Sequence, residues 1–177
     1  MDMSIAEAQA DMRHAYYSGG AGILASAIAW SVAAAIAISG SSQQAIWALL
    51  VGGMLIHPFG LLICKLLRTS GAHTKGNPLG QLAGASTFWL IFSLPLAYAL
   101  GLQNPGWFFA AMLLVIGGRY LVFATLYGMR LYWMLGLSLA LAGFALATLS
   151  APAYAIAGAG AALEMGFAAI CLIQHRR

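Results

Sequence analysis

WFFAAMLLVIGGRYLVFATLY, residues 107–127, is a run of twenty-one residues with a single charge, Arg119. As an α-helix rising ~1.5 Å per residue it reaches about 30 Å, the depth of a bilayer's hydrocarbon core. Pro105-Gly106 before it and Gly128 after it supply the breakers that bound such a helix. An arginine placed there is expensive: about 2.5–3.5 kcal/mol at a helix centre on insertion scales. The run therefore reads as a membrane span, and Arg119 as a residue kept for a purpose.

Five similar runs surround it, so that six apolar stretches fall at about 19–39, 44–65, 82–101, 107–127, 131–149 and 153–173. Twelve of 177 residues carry a formal charge, 62% are hydrophobic, and the mean hydropathy is +0.87. A soluble domain has about 25% charged residues, so lipid must be the solvent for much of this chain. The expected fold is all-α: a single membrane domain over 1–177 with six transmembrane helices. The connections Ser39-Gly40-Ser41-Ser42-Gln43, Gln103-Asn104-Pro105-Gly106 and Ser150-Ala151-Pro152 carry no charge. Arg13, Lys65, Arg68, Lys75, Arg130, Arg176 and Arg177 all fall at the opposite ends. By the positive-inside rule both termini are expected in the cytoplasm.

Two further ionisable groups lie deep in spans, His57 and Glu164. Counted from the uncharged ends, His57 is 13 residues along, Arg119 is 12 and Glu164 is 11. At ~1.5 Å per residue the three share one depth to within about 3 Å, on three helices running the same way. Glu164 is the only acid inside a span, so a direct Arg119–Glu164 pair is expected. Pro58 cannot donate to the carbonyl four residues back, leaving a freed acceptor beside His57. Eleven residues make almost three helical turns. His57 would then share a face with Arg68, and Arg119 with Arg130, if each helix continued that far, with Tyr120, Phe123 and Tyr127 along the second stretch. Two basic-ended faces of this kind would attract an anion or a lipid headgroup.

Outside the spans, Ser4-Ile5-Ala6-Glu7 fits a capping box. Ile5, Ala8, Met12 and Tyr16 then share a face, so residues 1–17 are expected to form a short interfacial helix; their acids are unlike a signal peptide. Thr69 to Gly80, with Gly76, Pro78 and Gly80, reads as a turn-forming loop. Trp47, Trp89, Trp107 and Trp133 fall near span ends as interfacial anchors do, whereas Trp30 is mid-span. Gly158, Ala162 and Gly166 repeat every four residues, a small-residue seam suited to a helix of the same chain or of a second copy. Cys64 and Cys171 have neither disulfide-framework nor metal-site spacing. There is no zinc motif, nucleophile elbow, paired carboxylate or phosphate loop, so no catalytic residue, metal or cofactor is implied. The scattered basic residues form no dense patch, which argues against nucleic acid.

The segments Asp11-Met12-Arg13-His14-Ala15-Tyr16-Tyr17, His73-Thr74-Lys75-Gly76-Asn77-Pro78-Leu79-Gly80 and Gly117-Gly118-Arg119-Tyr120 through Tyr127-Gly128-Met129-Arg130 resemble a bacterial family of small polytopic membrane proteins of unknown function. The resemblance covers most of the chain. It implies a bacterial inner-membrane protein and brings no activity or site residues. The residues themselves point first to a carrier or channel for a small anionic or protonatable solute, centred on His57, Arg119 and Glu164, with Tyr120, Tyr127, Arg68 and Arg130 beside them. A membrane-embedded lipid-binding protein or enzyme using the same centre is the alternative. A non-catalytic membrane subunit with a structural ion pair is a third reading.

Overall fold

A computed structural model describes residues 3–176, the side chain of Arg176 excepted. Arg177 and the side chain of Arg176, counted above toward the basic end, lie outside the described residues. Seven α-helices account for the fold, with no strand among the described residues: α1 (Ile5–Ala15), α2 (Gly20–Ser39), α3 (Ser42–Leu66), α4 (Pro78–Gln103), α5 (Pro105–Tyr127), α6 (Leu131–Thr148) and α7 (Ala153–Arg176). Six of them, α2 to α7, are long and apolar enough to cross a bilayer.

Local chemistry sets the helix starts. Ser4 accepts from the Glu7 backbone while the Glu7 carboxylate accepts from the Ser4 backbone, and Ser41 and Gln44 repeat the device on α3. Two Asn-Pro steps open α4 and α5. The Asn77 side chain accepts from Leu79 N at 3.0 Å and the Asn104 side chain from Gly106 N at 2.9 Å. Proline suits the first helical position because its missing N–H would have no partner there. The end of the 69–80 loop is therefore helical, and α4 begins four residues earlier than the apolar run implied. That places Trp89 well inside α4 rather than near its end.

Packing divides the helices into a centre and a flank. In their apolar windows α2 and α5 bury 44% and α7 39% of residues, against 17% for α3 and α4, so the last two are peripheral. α7 lies antiparallel against α2, α6 against α5, α3 on the outside of α2 and α4 on the outside of α5. Trp30, the mid-span tryptophan, is 0% exposed and packs against Phe109, which explains its depth: it fills the core. A Cβ at Gly160 would come within 2.9 Å of the Trp30 ring, so α7 needs a glycine there. Gly117 and Gly136 form a closer crossing of α5 and α6, where a Cβ on either would sit 2.6 Å from the other's carbonyl oxygen. The seam read from the sequence is not used inside the chain: Ala162 and Gly166 are exposed, and a Cβ at Gly158 or Gly166 would touch nothing.

α1 is held by protein. Ala8, Met12 and Ala15 are buried, while Ile5 is 69% exposed, so the apolar face is narrower than its spacing implied. Gln9 donates to the Thr125 carbonyl at 2.8 Å and Arg13 to the Tyr127 carbonyl at 2.5 Å, covering the last turn of α5, where helix carbonyls lack partners. From the α3–α4 loop, Asn77 donates to the Ala8 carbonyl and to Asp11, and Thr74 donates to Asp11 through both N–H and hydroxyl. Burial is the largest single influence on the Asp11 carboxyl and raises its pKa. The hydrogen bonds from Asn77 and Thr74 and the charge of His73 outweigh it and hold the group below the ordinary aspartate value of 3.8. A depressed carboxylate stabilises the fold above the unfolded pKa and loses that contribution as pH falls through the folded one. Asp11→Ala is expected to speed amide exchange through residues 5–15 at neutral pH without altering α2 to α7. Wild-type protein should show the same selective loosening of α1 only on acidification below about pH 4. Equal protection of α1 in both proteins at neutral pH would remove Asp11 from the clasp.

Candidate functional site

The buried carboxyl of Glu164 lies where α2, α5 and α7 meet. On α7, Gly160 and Glu164 are one turn apart; on antiparallel α2, Trp30 faces Gly160, and Ser26, one turn earlier, neighbours Glu164. Glu164 is 0% exposed. Its Oε1 accepts a hydrogen bond from the Tyr120 hydroxyl of α5 at 3.0 Å, and its Oε2 has no partner. The indole Nε1 of Trp30 is also buried without one. An unpaired buried acceptor costs about 1–3 kcal/mol, more if charged.

Arg119 precedes Tyr120 by one residue and points to a different side of α5. Its Nη2 donates to the Thr87 hydroxyl of α4 at 3.0 Å, its guanidinium lies 5.1 Å from the centroid of the Phe123 ring, and its Nε is buried with no partner. The group is half-buried, on the α4 side of the bundle. The expected direct contact with Glu164 is absent. Each group has a different hydrogen-bond partner, although the two remain close enough to interact through space. Equal depth fixes position along a helix axis but not direction around it, and Arg119 and Glu164 differ in direction.

The remaining expected residues are dispersed. His57 is exposed on α3 and stands apart from the other two. α3 stops at Leu66 and Arg68 has a left-handed backbone (φ 61°), so no helical face joins His57 to Arg68. α5 likewise stops at Tyr127, Gly128 turns left-handed (φ 63°), and Arg130 caps α6, so Arg119 and Arg130 share no continuous face. Arg68 and Arg130 are both exposed at the basic end. Tyr120 and Tyr127 are both buried in one aromatic column: Tyr132 of α6 stacks on Tyr120 at 5.9 Å and on Tyr127 at 5.2 Å, with Phe123 edge-on to both Tyr120 and Tyr127. Thr87, Ser26 and Tyr132 are the site neighbours that pattern reading missed. Thr87 was visible as a hydroxyl in the third span. Tyr132 had no signal, lying among apolar residues at a helix start.

Among the described residues no group of three or more His, Cys, Asp or Glu side chains is placed to hold a metal. Six helices long and apolar enough to cross a bilayer define an α-helical multi-pass membrane protein. Residues 5–174 match the model of a family of unknown function (DUF7010), and the chain belongs to that family. No curated protein and no solved structure is similar to it.

The Tyr120–Glu164 bond lends itself to a mutant cycle. Tyr120→Phe takes the Tyr120 hydroxyl from the carboxyl, leaving only its neighbour Ser26, and is expected to destabilise the protein by about 1–3 kcal/mol. Glu164→Met in the same background should recover most of that loss, because an apolar pair leaves nothing unsatisfied. Reversible unfolding in detergent checks this, and additive losses in the double variant would show that the bond is not the interaction at stake.

Proposed function

We propose that this protein is a small membrane carrier for an anionic or protonatable solute, with Arg119 taking the solute's charge and Glu164 exchanging the balancing proton. One observation carries the reading. A guanidinium and a carboxyl group sit in the same bundle without touching, and each keeps a buried polar atom unpaired, Nε on Arg119 and Oε2 on Glu164. An ion pair that only held helices together would close that gap, because a buried pair offsets its desolvation only in direct, well-aligned contact. An arginine fork with free donors suits a carboxylate or phosphate. Thr87 adds a hydroxyl, and Phe123 fixes the guanidinium plane. The column of Tyr120, Tyr132 and Tyr127 backs the site, and Arg68 and Arg130 at the basic end attract anions toward it.

Lipid binding is the second reading, favoured by the flank. α3 packs on α2 and α4 on α5; Trp47 and Tyr98 approach each other near the uncharged end, with ring centroids 5.8 Å apart. Arg119 lies on that side of the bundle, where a lipid headgroup could enter sideways. The basic residues argue for cytoplasmic termini, and a bacterial inner membrane is the proposed location. Ala162 and Gly166 leave a stripe of small residues open on the outer face of α7.

A charge-assisted hydrogen bond contributes about 1.5–3 kcal/mol, so Arg119→Ala is expected to lower uptake by about tenfold or more. The measurement is entry of radiolabelled acetate, lactate, succinate and inorganic phosphate into proteoliposomes. Glu164→Gln should keep binding while abolishing the response to an imposed pH gradient. Uptake of no anion by the wild type, with anionic lipid retained at Arg119, would replace the carrier by the lipid-binding reading.

A further inference from the structure

His57 occupies the lipid-facing side of α3, exposed and with no hydrogen bond. It lies eight residues before Lys65, which at ~1.5 Å per residue is about 12 Å inside the basic end of the span. Lysine and arginine reach an interface on long stems, but an imidazole on a single methylene cannot bridge that depth. Pro58 creates a second stranded group, since it has no N–H to give the Met54 carbonyl. Met54 is 79% exposed, one turn from His57 on the same side. A donor and an acceptor thus stand together where hydrocarbon satisfies neither. The serine and threonine hydroxyls Ser31, Thr87 and Ser93, by contrast, return to their own helices, donating to the Ala27, Ala83 and Trp89 carbonyls.

We propose that a second copy of this chain docks on this face of α3, the two helices crossing at a two-fold axis, with His57 of each protomer donating to the Met54 carbonyl of the other. The patch is self-complementary, which is what a two-fold contact requires: one surface supplies both halves of each bond. A different partner would have to bring a matching donor and acceptor at one turn's spacing, whereas a second copy has them by construction. Gly53, one turn before His57, allows the close approach, since a Cβ there would meet nothing within 4 Å in the protomer. α3 is also among the helices that bury least within the chain. The exposed α7 stripe is apolar throughout and leaves no such demand.

The test is cysteine cross-linking in native membranes with subunit association measured in lipid. The native Cys64 and Cys171 are both buried. Gly53→Cys is expected to give an oxidised dimer, and Gly166→Cys on α7 none. His57→Leu, an exposed position whose change leaves the protomer core untouched, should weaken association by about tenfold, the effect of two membrane hydrogen bonds of about 0.6–1.2 kcal/mol each. Pro58→Ala, which returns the Met54 carbonyl to its own helix, should weaken it as well. A wild-type chain that is monomeric at every lipid dilution overturns the proposal. So does cross-linking at Gly166→Cys without Gly53→Cys, or a His57→Leu protein that associates as tightly as wild type.

Discussion

The hydrogen bond from Tyr120 to Glu164 is the point at which the rest of the bundle is fixed. Both groups are buried, so neither can exchange its partner for water, and the bond sets the register of α5 against α7. α2 completes the junction, with Ser26 beside the carboxyl and Trp30 against Gly160 one turn away. Apolar helices in lipid gain little from hiding apolar surface from one another. Their arrangement has to come from close packing at small residues and from polar contacts of this kind. The glycine crossing of α5 on α6 and the tryptophan seat on α7 supply the first, and Tyr120–Glu164 supplies the second.

That division explains what could be read in advance. The six spans were legible because length and hydropathy are properties of a segment, and lipid demands both. The Ser4–Glu7 capping box and the exceptional depth of Trp30 were legible for similarly local reasons. Rotation about each helix axis was not. A helix that is apolar on all sides carries no stripe to orient it, so depth alone had to stand in for contact. Depth put His57, Arg119 and Glu164 at one level, but it could not show that Glu164 faces the core, Arg119 faces α4 and His57 faces outward. Arg68 and Arg130 failed for another reason: the helices ended before reaching them, at residues with left-handed backbone.

The basic end adds a layer that hydropathy does not describe. α1 covers the last carbonyls of α5, and the α3–α4 loop reaches over it through Asn77 and Thr74. The Tyr16 hydroxyl meets His73 Nδ1 at 2.8 Å on the same side. These are ordinary hydrogen bonds in a watery setting, each a modest net stabiliser. Together they fix α1 to two separate helices, which a helix lying free on lipid would not be.

Between α1 and α2 the chain takes three consecutive left-handed residues, Tyr17 (φ 53°), Ser18 (φ 54°) and Gly19 (φ 80°). Two of them carry side chains, at about 1–2 kcal/mol each for the L-residue clash. Strain of this kind persists only where neighbours over-determine the conformation. Here the neighbours are identifiable. The Ser18 carbonyl accepts from the Tyr132 hydroxyl at 2.7 Å and the Cys171 thiol at 3.1 Å, and the Ser18 hydroxyl meets His175 Nδ1 at 2.8 Å. Tyr132 stacks on Tyr120, and Tyr120 holds Glu164. The turn that bears the strain is therefore continuous, contact by contact, with the buried carboxyl.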